Sequence, residues 1–396
     1  MDPFNSRYIL NEKRWLWIDY DKGISIILVG FGHCFATLND HALPLDKYPF
    51  INYFNTFMYG FRMPLFFIVS GLLVGRSLLK KGWGGYVSDR VNNILYPLLI
   101  WGSIQVTVRL LSSRYTDNGA TPWNYLHLLT DPRQDGPFWY LNALFFIGSI
   151  YALIKAKLKL PAWVQVIFGL GLYSVNAWIK MTDQNFGFLN DICEYYFFFA
   201  LGDLVSNIML GEGNIQRFTS WKIFIPLAIL FIGIQYYFTK DNLLSIQHGL
   251  KYGMQYTEYK QPFWFMVEAL IGCAASLSFS FLLQRYKVFT FIRIVGYHSL
   301  FVYCMQIITM SAARIFCFKV LHLYYVPALV LIVWSAGIFL PIFFYNFCLK
   351  YGMWWLYTFK KPKKQVEYMK TASIFWFNRN KKDILKEEKE AMMNTN

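Results

Sequence analysis

Ten separate apolar blocks of roughly 17–23 residues run along this chain, each long enough to cross a ~30 Å hydrocarbon layer at about 1.5 Å per helical residue. They fall at approximately 18–38, 57–79, 91–108, 137–154, 161–179, 191–210, 223–238, 263–283, 294–316 and 326–349. One such block is compatible with a buried helix in a water-soluble core; ten are not. Composition supports this, since 56% of the 396 residues are hydrophobic and 15% are charged, against about 25% charged in a soluble domain. The sequence therefore implies an all-α integral membrane protein, a polytopic bundle of about ten transmembrane helices. Clusters of Pro, Gly, Asn and Lys, as at 157–161 and 211–214, punctuate the blocks. No internal repeat is present, so an inverted-repeat transporter gains no support.

Lys and Arg set the expected orientation. With the N-terminus inside, 27 of the 38 fall on cytoplasmic segments, 10 on outer segments, and Arg62 lies within a span. The short inner loops keep an excess without the basic tail, which places both termini in the cytoplasm. The expected division is a cytoplasmic segment 1–17, a transmembrane domain 18–349 and a basic cytoplasmic tail 350–396. Net charge of +15 is then a topology signal. The charges are not gathered on one soluble domain, which argues against nucleic-acid binding. Residues 360–364 suit lipid headgroups, and 380–396 read as a short charged helix or a disordered end. All six cysteines fall in or beside predicted spans, none at metal-ligand spacing, and read as packing residues. The first span carries Asp19 and Lys22 at its mouth and lacks a clear cleavage site, unlike a signal peptide.

Chemistry must come from polar residues at membrane depth, where they are costly. In WIDYDKGISIILVGFGHC, Lys22 and His33 are eleven residues apart. That spacing is about 20° from three full turns, so both lie on one stripe, ~16 Å apart along the axis. Asp19 falls about 40° to the other side. His33 is thus placed deep, toward the outer half, with Lys22 and Asp19 at the inner mouth. An imidazole there can take a proton from a hydroxyl; the bland alternative is a histidine hydrogen-bonded between packed helices.

A second group lies in FRMPLFFIVSGLLVGR, where Arg62 and Ser70 interrupt an apolar span and Pro64 and Gly71 permit a bend or close approach. Arg62 suits a carboxylate, a phosphate or simple snorkelling to the outer interface. Arg76, Lys80, Lys81 and Arg90 bracket the GWGG stretch on the inner side. They suit a polyanionic cytosolic ligand such as coenzyme A, or ordinary positive-inside charge. Glu194 and Glu268 lie inside predicted spans and each needs a partner, Arg62 being one candidate.

The same segments resemble the membrane-bound acyltransferase 3 family. WIDYDKGISIILVGFGH resembles its opening motif of a basic residue followed by the histidine. MPLFFIVSGLL, RVNNILYPLLIW and GYHSLFVYCMQ resemble its second, third and late segments. GPFWYLNALFF resembles the motif of the fucose 4-O-acetylase-like branch. These matches follow the family order. Lys22 stands where Arg is more usual, Asn93 where a second basic residue is frequent, and Arg62 and Gln306 where relatives often carry His. His33, Ser70, Arg90 and Trp139 fit the pattern.

The resemblance implies transfer of an acetyl or other acyl group from cytosolic acetyl-CoA, or another acyl-CoA, to a hydroxyl, usually on a sugar or lipid-linked glycan. It implies a bacterial inner-membrane location. His33 would be general base or acyl carrier, with Asp19 orienting Lys22, and Lys22, Arg90 and Arg76 holding donor phosphates. Arg62, Ser70, Trp139, Glu194 and Glu268 would line the acceptor or oxyanion side. No metal or permanently bound cofactor is expected. Two other classes remain open: a transporter, which predicts flux without coenzyme A consumption, and a lipid-donor glycosyltransferase, for which Asp40 and Asp46 lie in the first outer loop. Acceptor choice would rest on the outer loops 110–136 and 239–261, rich in aromatic and polar residues such as Trp123, Tyr125, His127, Tyr252, Tyr256 and Tyr259.

Overall fold

The computed structural model describes residues 4, 6–11, 15–39, 47–113, 119–182, 184–211, 215–245 and 255–362. Asp40, Asp46, Tyr252 and residues 363–396 lie outside the described residues. Among those described, all regular structure is helical. The bundle is carried by α1 (Leu16–Asn39), α2 (Tyr59–Leu72), α3 (Val74–Arg90), α4 (Tyr96–Ser112), α5 (Trp139–Leu153) and α6 (Ala162–Met181). It continues with α7 (Phe188–Met209), α8 (Trp221–Leu243), α9 (Pro262–Tyr286), α10 (Thr290–Tyr297), α11 (Ser299–Lys319) and α12 (Val326–Lys350).

Eight of the described helical segments are long and apolar enough to cross a membrane, and the protein is an all-α, multi-pass membrane bundle. Two expected spans are not among the eight, for different reasons. The block at 57–79 breaks at Leu73, leaving α2 with 14 residues, or about 21 Å of helix. The block at 191–210 lies in α7, which carries Asp191, Glu194 and Asp203. Each of those carboxylates meets a cation: Arg133, Lys180 and Lys155 respectively. That pairing keeps α7 inside the bundle despite its charge.

Two ends of the bundle can be told apart by side-chain ties. At the first, the Trp17 backbone N–H donates to Gln284 of α9 at 2.8 Å. Arg76 lies 4.7 Å over Trp15 and donates to the Leu210 carbonyl at 3.0 Å. The chain leaving α12 returns to this same end, so α1 starts where α12 stops. Tyr96 donates to the Trp355 carbonyl at 2.7 Å, and the Lys360 N–H to Asn92 at 2.6 Å. Residues 353–360, the first part of the expected basic tail, are packed: Tyr357 is 0% exposed among Trp101, Phe301 and Tyr345. This is the Lys22 end; the opposite is the Arg133 end.

Close backbone approach organises the helices that position the site. A Cβ on Gly71 of α2 would strike the Phe199 carbonyl of α7, and one on Gly202 of α7 would strike the Ile68 carbonyl of α2. Reciprocal glycines let these two helices touch backbone to backbone, as small residues do in membranes. Gly296 of α10 is seated in the same way against the Asp19 carbonyl of α1, and Gly23 against that of Ile292. Between α2, α5 and α7 lies an aromatic core in which Phe67 stacks on Tyr195 at 4.6 Å and meets Tyr140 edge-on at 5.3 Å.

Gly202→Val should force α2 and α7 apart, at a cost of about 1–3 kcal/mol or more. A fall in the monodisperse, detergent-extracted fraction and in the thermal midpoint is the expected outcome; unchanged behaviour of both would disprove the tight crossing.

Candidate active site

A cavity of about 170 Å³ lies toward the Arg133 end, and His33 lines it together with Arg62, Arg133, Trp139, Tyr195 and Tyr303. His33 reaches it from α1, on the helix whose other end carries Lys22. The His33 ring makes no hydrogen bond among the described residues, which leaves it open to the cavity. Arg62 comes from the first turn of α2 and is seated on α1: a Cβ on Gly32 would lie 2.6 Å from Arg62 Nη1. Nη1 donates to the Leu28 carbonyl at 3.0 Å, and the guanidinium lies 5.0 Å over the Tyr59 ring. Neither Glu194 nor Glu268 is its partner. Arg62 has no carboxylate in ion-pairing reach among the described residues.

Glu194 belongs to a different network, built by residues that sequence reasoning counted only as outer charge. The chain Asp131–Gly136 forms a tight turn, with Pro132 at its start and Gly136 at φ 91° releasing the chain into α5. Such a φ favours glycine. This turn folds Arg133 back over Trp139, with 4.3 Å between the guanidinium carbon and the ring. Gly187, also at positive φ, packs under the Thr130 carbonyl and starts α7 there. One turn on, Asp191 accepts from Arg133 Nε at 2.6 Å, and Glu194 lies 3.7 Å from Nη2.

Lys180 of α6 then bridges Glu194 at 2.9 Å and Glu258 at 2.8 Å. Glu258 sits on a short helix, Tyr256–Lys260, tied to α8 through Asn242 and Thr257. Its other oxygen accepts from the Tyr59 hydroxyl at 3.0 Å. The chain Asp191–Arg133–Glu194–Lys180–Glu258–Tyr59 thus links two sides of the cavity mouth. Burial alone would raise the Glu258 pKa, but the Lys180 and Arg133 charges and the bonds from Lys180 and Tyr59 hold it below the usual carboxylate value. For Arg133, burial opposes the charge, while Asp191, Tyr195, Glu194 and Glu258 raise its pKa well above normal.

The remaining predicted site residues are dispersed. Ser70 lies against Tyr140, next to the aromatic core. Trp139 lines the cavity, but Arg133 covers one side of its ring and Tyr195 lies 5.4 Å away. Glu268 is 1% exposed in α9, near Asp241 of α8, and forms no ion pair among the described residues. Asp19 is buried against α10, and Lys22 is half-buried at its own end. Arg76 is held by Trp15 and Leu210. Arg90 is buried over Gly148, donates to the Leu144 carbonyl at 2.7 Å and lies 4.7 Å over Tyr86. Its Nε has no partner among the described residues. The late segment supplies Tyr303, whose phenol donates to the Pro137 carbonyl; Gln306 is buried beside Gly30 with its amide unpaired among the described residues. Asp21, which sequence reasoning did not single out, is buried and accepts from Ser276 at 2.9 Å and Ser280 at 3.3 Å.

Fold and site together define a polytopic membrane protein with a histidine and two guanidinium groups facing one intramembrane cavity. The chain belongs to the acyltransferase 3 family, whose acyltransferase domain matches residues 15–344. It is similar to the nodulation protein NolL of Sinorhizobium fredii, at 27% identity over 54% of this chain and 56% of the relative. It is likewise similar to NolL of Mesorhizobium japonicum, at 27% over 55% of each chain. A third relative is the inner membrane protein YcfT of Escherichia coli, at 27% over 43% of this chain and 58% of the relative. The chain thus spans little more than half the length of these relatives. No solved structure matches it.

Glu258→Gln removes one charge from the mouth network and should cost about 1–3 kcal/mol at neutral pH. Because the folded pKa is depressed, the wild-type advantage is full above the unfolded value and fades as pH falls through the folded one. Thermal midpoints of the two proteins should therefore differ at pH 7 and converge in acid; a gap that widens below pH ~4 would contradict the ionised assignment.

Proposed function

We propose that this protein is a membrane O-acyltransferase, moving an acetyl or other acyl group from cytosolic acyl-CoA to a hydroxyl of a sugar or cell-surface glycan in a bacterial inner membrane. The observation that carries this reading is the pairing of His33 with Arg62 on one cavity wall. One relative carries "inner membrane protein" in its name, which supports the location.

The acceptor hydroxyl enters from the Arg133 end, and His33 takes its proton as the oxygen attacks the thioester carbonyl. Negative charge developing on the carbonyl oxygen falls beside Arg62, whose side chain has no carboxylate to neutralise it. Collapse breaks the C–S bond, the coenzyme A thiolate recovers the proton from the imidazolium, and the ester leaves. Direct transfer and a transient acyl-His33 both use this geometry. At the other end Lys22, Arg76 and Arg90 are the donor-side cations; Arg90, buried over Gly148, contributes its charge rather than a direct contact. With ~16 Å of helix between Lys22 and His33, the thioester must reach the cavity on an extended arm. Ser70 supports the site through Tyr140; Glu194 acts through Arg133 and Lys180.

Transfer and hydrolysis of labelled acetyl-CoA in isolated membranes test this. His33→Ala should reduce transfer about 10²–10⁴-fold. Arg62→Met should lose about 10²–10³-fold, with Arg62→Lys between, since it keeps charge but not the planar fork. Full transfer by His33→Ala would refute the mechanism, and ligand flux without acetyl-CoA consumption would favour a transporter.

A further inference from the structure

Resting on the acyltransferase reading above, we propose that Arg133 is the acceptor-contacting specificity residue of the cavity, and that the part of the acceptor entering it is an uncharged sugar rather than a uronic acid or other anionic unit. The juxtaposition behind this is the Arg133–Glu194–Lys180–Glu258 chain at the mouth, whose Arg133 lines the same cavity as His33 and Arg62.

Charge decides the class of ligand. Two cations, Arg133 and Lys180, belong to the mouth network. Three carboxylates, Asp191, Glu194 and Glu258, lie against them, so the network carries one excess negative charge. Glu268 lies apart, toward Asp241. A neutral guest passes this charge without repulsion. An anionic guest must pass it in a poorly screened site, where Coulomb energies are several times those in water.

Geometry decides which residue makes contact. Asp191 takes Arg133 Nε and Glu194 approaches Nη2, so the guanidinium is fixed against the carboxylates, 4.3 Å over Trp139. The Arg133 side chain is 39% exposed while its acidic partners are 1% and 2% exposed. Its free edge therefore faces the opening, with fixed N–H donors for neighbouring hydroxyl oxygens. Trp139 is covered on that side, so Arg133, and not the indole face, meets the acceptor there. Lys180 and Glu258 do not touch the guest; they are positioning residues that hold Arg133's partner Glu194 and the cavity-lining Tyr59.

The test uses full-length protein in lipid nanodiscs with labelled acetyl-CoA, offered methyl β-galactoside and methyl β-galacturonide at matched concentrations. Transfer to the neutral glycoside should exceed transfer to the uronide about tenfold or more, and Arg133→Gln should raise the galactoside KM about tenfold without moving the acetyl-CoA KM. Glu258→Gln removes the excess negative charge at the mouth and should shift preference toward the galacturonide, while Glu258→Asp keeps the wild-type preference. A wild-type preference for the uronide, turnover of acetyl-CoA with transfer to neither glycoside, or an Arg133→Gln change that moves both KM values equally or neither would overturn the proposal. Absence of any acetyl-CoA turnover would instead bring down the acyltransferase reading on which it rests.

Discussion

A guanidinium inside a helix bundle needs a flat seat, and this protein provides one by removing a side chain from the facing helix. Arg62 lies where a Cβ on Gly32 would stand, and Arg90 lies where a Cβ on Gly148 would stand. Each then donates to a backbone carbonyl, of Leu28 or Leu144, that a bulkier neighbour would hold out of reach. Neutralising a buried cation with helix carbonyls rather than a carboxylate keeps its positive field largely intact. The position of Gly32, immediately before His33, makes that field local to the imidazole. The α1–α2 spacing and the cavity between them follow from this seat.

The carboxylates are handled in the opposite way. Asp191, Glu194 and Asp203 each lie beside a cation supplied by another segment, and α7 can be buried only because those partners arrive. Their placement at the two ends of α7 leaves the stretch between them aromatic, which fills the space between α2 and α5. Electrostatics and packing are therefore divided along a single helix. The ends set which loops fold back, and the middle sets how close the neighbours come.

Much of this was legible in the sequence, and the limits have physical causes. Apolar block length located the helices, and the eleven-residue spacing in α1 placed His33 deep and Lys22 at the far end. Arg62 and Trp139 were recognisable as intramembrane or motif residues, and both line the cavity. Arg133, Lys180 and Glu258 were not, because their meeting depends on a loop, a helix end and a short helix far apart in the chain. The one local signal was the turn-forming DPRQDGP run just before Trp139, which fixes an arginine beside an indole. Arg90 was legible as a donor-side candidate; its burial depends on Gly148, 58 positions later, and no local pattern could reveal that. Pairing of Arg62 with an intramembrane glutamate was reasonable by charge but lost to the nearer carbonyl of Leu28.

The packed segment after α12 has a practical consequence. Tyr357 fills a slot among three helices, and Lys360 is stitched to Ser88 and Asn92 beside the α3 segment that carries Arg90. The last membrane helix is therefore not the last structural part of the protein. A reporter fused directly after Lys350 would replace a cork with a tether and leave an aromatic-lined hole at the Lys22 end. The same reporter joined beyond residue 362 would leave the cork in place.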